Sequence, residues 1–270
     1  MKKRIPYAVA NPEEIREENY FFVDKTRFLE ELEIYKIPVF LRPRRFGKTL
    51  WCSVLECYYD INRKAAFDSL FGDLYIGKNP TPLKNRFLVL RLNFSKIEVK
   101  PDLAGLEENF NKIINIEIKY FLAYYKKYFK GAISFSHQNS ISQHLECIQE
   151  VVREKHFPPL YIIIDEYDNF TNQLITSHLD KLYYDLTTRR EEGDSFFRTF
   201  FKVIKAGVES RTIGKVFITG VLPVTIDDLT SGFNIASNLT RDRNLNAMLG
   251  FTREEIRDLI RNTIPDLSTH

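Results

Sequence analysis

The residues best equipped for chemistry are Arg42-Pro43-Arg44-Arg45-Phe46-Gly47-Lys48-Thr49, set between an apolar run and an amphipathic segment. A glycine-lysine-hydroxyl triplet at a strand-to-helix turn is suited to gripping phosphate. Backbone N–H groups of Arg44, Arg45, Phe46, Gly47, Lys48 and Thr49 would point at the phosphate oxygens, because the first N–H groups of a helix lack intrahelical partners. Lys48 would neutralise the outer charge, and the Thr49 hydroxyl would hold Mg²⁺. The loop departs from the general pattern at its opening. Arg42 stands where a glycine is usual, and Pro43 has no N–H to donate. The donors nearest a β- or γ-phosphate come later, from Arg45 through Thr49.

A second group of chemical residues closes the apolar run Leu160-Tyr161-Ile162-Ile163-Ile164 with Asp165-Glu166-Tyr167-Asp168. Consecutive apolar residues without alternation predict a strand buried on both faces, as in a parallel sheet. Asp165 at its carboxyl end would hold Mg²⁺ directly or through water. Glu166 points elsewhere and is the candidate base for a water attacking a γ-phosphate. A third strand, Lys215-Val216-Phe217-Ile218-Thr219-Gly220, ends in a polar residue, and Thr219 is the candidate sensor of that phosphate.

Elements must bring these three groups together. Ile37–Leu41 predicts a short strand before the loop, and Leu50–Tyr58 repeats apolar residues at helical spacing after it. Phe87–Ser95 reads as another strand, with helical patterns over residues 103–130, 141–156, 177–190 and 194–208. Residues 13–36 read as a capped entry followed by a helix through Leu32, which Asp24 or Thr26 would start. Ala247–Phe251 reads as a last strand, and Thr252 with Glu255 as a capping box opening a helix. Strands alternating with helices predict an α/β three-layer sandwich with a mainly parallel central sheet.

These motifs resemble the predicted AAA-ATPase-like family of bacterial proteins, which commonly carry a restriction-endonuclease-like nuclease domain. The likeness rests on Tyr20–Thr26, Arg42–Thr49, Ile164–Asp168 and Phe217–Val221, with Ser231–Asn234 and Leu249–Ile256 adding to it. It extends more loosely to the STAND signalling ATPases. In the family, Arg-Pro-Arg-Arg-Phe-Gly-Lys replaces the usual glycine opening. The resemblance implies a P-loop NTPase fold of the ASCE/AAA-like kind that takes ATP and Mg²⁺. It also implies one domain over residues 1–270, with residues 1–36 on the adenine side and 37–262 as core, without the helical and nuclease domains of the relatives. Phe21–Thr26 would pack on the base, and Arg241 or Arg243 would be placed to act in trans.

Composition agrees with a globular domain. The chain has 270 residues, 44% hydrophobic and 28% charged, enough to bury a sizeable core. Its 22 Phe and 14 Tyr predict an aromatic-rich interior. A net charge of only +3 gives no global field that demands a polyanion, so a nucleic-acid partner has no support from charge. Cys52, Cys57 and Cys147 lack metal-ligand spacing and read as buried free thiols. No apolar run reaches membrane-spanning length, and Met1-Lys2-Lys3-Arg4 precedes no apolar stretch, so a cytoplasmic protein without membrane contact is expected. Ile113, Ile116, Tyr120, Tyr124 and Tyr128 form one helical stripe, read as core with lysines at its edge. Glu117-Ile118-Lys119 with Asp102 mimics part of a nuclease metal site but lies inside a helical pattern.

The expectation is therefore an ATP-hydrolysing switch for a protein partner, a second copy of the chain or an effector domain. The alternative is a non-catalytic, nucleotide-gated module that recognises protein or nucleic acid. A phosphotransferase is a third option, against which Glu166 argues.

Overall fold

The computed structural model describes residues 3–188, 193–222 and 235–264. Among the described residues, five parallel strands form one sheet: β1 (Pro38–Leu41), β2 (Leu88–Asn93), β3 (Leu160–Asp165), β4 (Ile213–Gly220) and β5 (Ser237–Asn238), in the spatial order β2-β3-β4-β1-β5. β1 and β3 are buried at every position. That explains their unbroken apolar runs, because helices cover both faces. β4 lies between β1 and β3. Val39 pairs with Ile218, and Ile164 pairs with the same Ile218 from the other side.

The helices are α1 (Pro12–Glu17), α2 (Phe28–Glu33), α3 (Lys48–Tyr59), α4 (Phe67–Phe71), α5 (Tyr75–Lys78), α6 (Leu103–Tyr124), α7 (Lys126–Phe129), α8 (Ile141–Glu154), α9 (Asn169–Thr176), α10 (Asp180–Thr187), α11 (Phe196–Glu209) and α12 (Arg253–Thr263). One face of the sheet packs a core of Leu90, Leu92, Phe94, Phe110, Ile162, Phe197 and Phe200 under α6, α8 and α11. The other face packs Phe40, Trp51, Tyr58, Tyr59, Tyr161, Ile163 and Phe217 under α3. The aromatic residues interlock edge to face, as in the Phe110–Phe197 and Tyr58–Phe71 pairs.

Four expectations change. Ala247–Phe251 is a series of turns, because Met248 N–H closes on the Leu245 carbonyl and Gly250 takes φ +81°. The fifth strand is the two-residue Ser237–Asn238 instead. The expected helix through Leu32 forms as α2, but the entry before it holds an additional short helix, α1, and then an extended stretch. Asp24 accepts from Thr26 N–H at 2.8 Å, which organises the turn before α2. The stripe assigned to the core on α6 is largely in water, with Tyr120 69% exposed and Ile116 and Tyr124 close to half exposed. The buried face is Leu106, Phe110, Ile114, Ile118 and Phe121, rotated about the helix axis from that stripe. Cys147 is exposed, while Cys52 and Cys57 are buried as expected.

Other expectations hold. The Thr252–Glu255 capping box is formed in both directions. Asp102 caps α6 through Gly105 N–H, and Glu117-Ile118-Lys119 lies inside that helix with Ile118 in the core. Among the described residues, no helix is long and apolar enough to cross a membrane. The Ser231–Asn234 motif lies outside the described residues.

Candidate functional site

Because all strands run the same way, the segments after β1, β3 and β4 emerge at one edge of the sheet, where ligands of open α/β sheets bind. Backbone hydrogen bonds lace these ends together. Arg42 N–H donates to the Gly220 carbonyl at 3.1 Å, and Tyr167 N–H to the Thr219 carbonyl at 3.2 Å. The loop after β1, the acids after β3 and Thr219 thus form one neighbourhood.

The loop has left-handed residues at Arg45 (φ +70°) and Gly47 (φ +86°), and α3 begins directly at Lys48. A Cβ at Gly47 would meet nothing within 4 Å, so glycine is required there by its backbone angle rather than by space. Arg44, Arg45, Phe46 and Gly47 are exposed, Thr49 is half-buried, and Lys48 is buried. The Lys48 ammonium donates to the carbonyls of Arg42 at 2.9 Å and Pro43 at 3.0 Å. An ammonium has three N–H groups, so one remains for an anion. Burial lowers the Lys48 pKa, while the charges of Asp165, Glu166 and Asp168 oppose that shift from across the sheet edge.

Arg42 shows why the loop manages without its first glycine. Its side chain turns away from the loop, covers the Phe40 ring at 4.2 Å and donates to the Leu41 and Thr240 carbonyls at 2.9 and 2.8 Å. It also reaches Asn246 Oδ1 at 3.2 Å. The loop is further clasped where Gly250 N–H donates to the Phe46 carbonyl at 3.0 Å.

Asp165 is fully buried, and neither of its carboxylate oxygens accepts a hydrogen bond. Buried polar groups are nearly always satisfied, so this pair of free acceptors is a notable exception. The Arg91 guanidinium on β2 stands 3.5 Å from Asp165 Oδ2. Among the described residues no cluster of three or more His, Cys, Asp or Glu side chains is arranged for a metal. A single carboxylate with a nearby hydroxyl is nonetheless what Mg²⁺ uses when phosphates and waters complete its shell. Asp165 and Thr49 are the residues beside the loop that carry the oxygen donors such an ion takes.

Glu166 follows at φ +52°, a left-handed backbone that is uncommon for a side-chain-bearing residue and turns the chain sharply after Asp165. Burial pushes its pKa up and Asp165 adds to the effect, while Lys48 and Arg44 pull it down. Asp168 does not face the site as a free acid. It is buried and accepts from Val221 N–H at 3.0 Å, Leu222 N–H at 2.6 Å and Asn172 Nδ2 at 2.8 Å, which fixes the turn after β4. The Thr219 hydroxyl is buried and donates to the Phe40 carbonyl at 2.7 Å, tying β4 to β1.

Away from the loop, a cavity of about 300 Å³ lies between Phe21–Asp24 and the Glu255, Asp258 and Asn262 face of α12. Lys25 joins its two walls by donating to Glu255 Oε1 at 2.5 Å and to the Ala247 carbonyl at 2.7 Å. Arg241 and Arg243 are exposed. Sequence reasoning missed Arg91. A lone charge inside an otherwise apolar strand, Leu88-Val89-Leu90-Arg91-Leu92, was the available signal.

Comparison with known proteins agrees with the motifs. The chain is 24% identical over 274 residues to a protein of Azotobacter chroococcum mcd 1 described as an uncharacterized protein in the vnfD 5′ region. That alignment covers 98% of this chain and 46% of the relative, so the chain spans about half the relative's length. No solved structure matches it. The model of the family described as predicted AAA-ATPase matches residues 6–230, most of the chain, and the protein belongs to that family.

Proposed function

We propose that this chain binds ATP with Mg²⁺ at the loop of residues 42–49 and hydrolyses it slowly, acting as a switch read by a partner or an effector domain. The observation that carries this reading is Asp165. The Asp165 carboxylate is fully buried and accepts no hydrogen bond even though the Arg91 guanidinium stands 3.5 Å away, so beside a loop with a lysine at its rim its lone pairs stay open to a metal ion. Residues 37–262 would be the nucleotide-binding core. Residues 1–36 would form its adenine-side segment, and the cavity beside Phe21 and Phe22 gives room for base packing.

In this reading, backbone N–H groups from Arg44 to Thr49 bind phosphate oxygens, and Lys48 adds its remaining N–H to the outer phosphates. Thr49 and Asp165 would hold Mg²⁺, which when bound supplies positive charge to the β- and γ-phosphates. Glu166, at the left-handed turn that follows Asp165, would accept a proton from the attacking water. Thr219 would sense the γ-phosphate only by exchanging its bond to the Phe40 carbonyl. That commitment favours the second reading, in which bound nucleotide gates recognition without turnover.

Phosphate release from purified protein tests the proposal. Wild type should release phosphate from ATP in a Mg²⁺-dependent way, Lys48→Ala should neither bind nor turn over, and Glu166→Gln should bind with turnover reduced by about 100-fold or more. Undiminished release by Glu166→Gln would remove that residue from the mechanism. Binding without any release would leave the gated module.

A further inference from the structure

Arg91 lies outside both motifs, on β2 next to the acidic strand. Its Nη1 donates to Ser53 Oγ at 2.8 Å and lies 3.4 Å from Glu56 Oε2. Its Nη2 donates to the Thr49 carbonyl at 3.2 Å and stands 3.5 Å from Asp165 Oδ2. One guanidinium nitrogen thus touches both residues assigned to the metal. Asp165 nevertheless accepts no hydrogen bond from it, so the contact is an ion pair whose carboxylate lone pairs stay available.

We infer that Arg91 is a built-in counter-charge that competes with Mg²⁺ for Asp165 and so sets the magnesium concentration at which nucleotide can be held. The inference rests on the ATP reading above. Three features support it. A buried carboxylate needs a cation nearby, and Arg91 is placed to be one. The fork is also held by Thr49, Ser53 and Glu56, so it stays anchored when Asp165 turns to another cation. Finally, Arg91 is partly exposed and lines a cavity of about 280 Å³ with Glu13 and Glu56, so its charge keeps other acidic neighbours when Asp165 turns to a metal ion. A divalent ion beside Asp165 would feel the arginine charge, so the arginine raises the threshold for metal.

The test uses Arg91→Gln, Arg91→Lys and the double variant Arg91→Gln/Asp165→Asn, followed by thermal unfolding in EDTA and with ATP across a Mg²⁺ titration. In wild type, the ATP-induced rise in melting temperature should require Mg²⁺. In Arg91→Gln the Mg²⁺ midpoint should fall on the order of tenfold, while Arg91→Lys should stay within about threefold of wild type. In EDTA, Arg91→Gln should melt lower than wild type, and adding Asp165→Asn should restore most of the loss. An unchanged or higher Mg²⁺ midpoint in Arg91→Gln overturns the inference. So does a double variant no more stable than Arg91→Gln, a comparison that decides the matter even where the single variant folds poorly. A wild type that ignores ATP at every Mg²⁺ concentration defeats the nucleotide reading instead, while the EDTA comparison still reports on the Arg91–Asp165 pair.

Discussion

Replacing Gly220 by alanine should damage the fold far more than the same change at Gly47, although Gly47 has the unusual backbone. A Cβ on Gly220 would lie 2.3 Å from Asp168 Oδ1 and 2.6 Å from the Tyr167 ring. Both neighbours are buried, and the Asp168 carboxylate is held by the N–H groups of Val221 and Leu222 and by Asn172. The carboxylate must therefore move off at least one of its donors, or the ends of β3 and β4 must separate. Losing one or two charge-assisted hydrogen bonds in a buried turn costs about 3–4 kcal/mol. For a chain of this size that is a fall in melting temperature of about 8 °C. Gly47→Ala meets no atom within 4 Å and pays only for φ +86°, about 1–2 kcal/mol. Its larger effect should fall on phosphate binding, because the loop is held in that conformation. The assay is differential scanning calorimetry of both variants with and without ATP and Mg²⁺. If Gly220→Ala melts within 2 °C of wild type, on the order of the effect of a harmless surface change, Asp168 does not clamp the strand ends and the account of this turn is wrong.

Further expectations concern acid, thiols and the C-terminal helix. Glu166 must be ionised to accept a proton, and burial raises its pKa, so turnover should fade on acidification at a pH above the ordinary glutamate value of about 4.3. The Glu166→Gln variant should lose that acid limb, and a pH–rate profile of both proteins checks it. A maleimide or disulfide reagent should label Cys147 alone in the native protein, because Cys52 is fully buried and burial pushes Cys57 up to about 12. Denaturant should expose all three thiols, and rapid native labelling at Cys52 or Cys57 would contradict the packing of α3. Lys25→Met should increase hydrogen exchange across residues 253–263 with little change in melting temperature. α12 buries no residue of its own and is tied down chiefly through Glu255; unchanged exchange there would deny the tether its role.

Much of the fold was legible because local and tertiary signals agreed. The unbroken apolar runs before Arg42 and Asp165 could belong only to strands covered on both faces, and the Gly47-Lys48 junction marked where a helix begins. The fifth strand was not legible. Ser237–Asn238 is two polar residues long, and its pairing to β1 comes from tertiary placement rather than from pattern. Ala247–Phe251 misled for the opposite reason, since Met248 and Leu249 are buried as a turn held against the loop and not as a strand. On α6, consecutive apolar residues such as Ile113 and Ile114 allowed two neighbouring stripes, and only packing against the sheet chose between them. At the site, Lys48, Thr49, Asp165 and Glu166 stood out by type and spacing. Arg91 and the clamp made by Asp168 depend on which strands are neighbours, and the order β2-β3-β4-β1-β5 is not written in any local segment.

The central claim is that Lys48 and Asp165 serve one triphosphate. Isothermal titration of ATP into wild type, Lys48→Ala and Asp165→Asn, each with Mg²⁺ and with EDTA, tests it most directly. The account predicts Mg²⁺-dependent binding to wild type, none to Lys48→Ala, and binding to Asp165→Asn that no longer responds to Mg²⁺. Equal affinity in all three proteins, or an Asp165→Asn variant that keeps the full magnesium response, would contradict it.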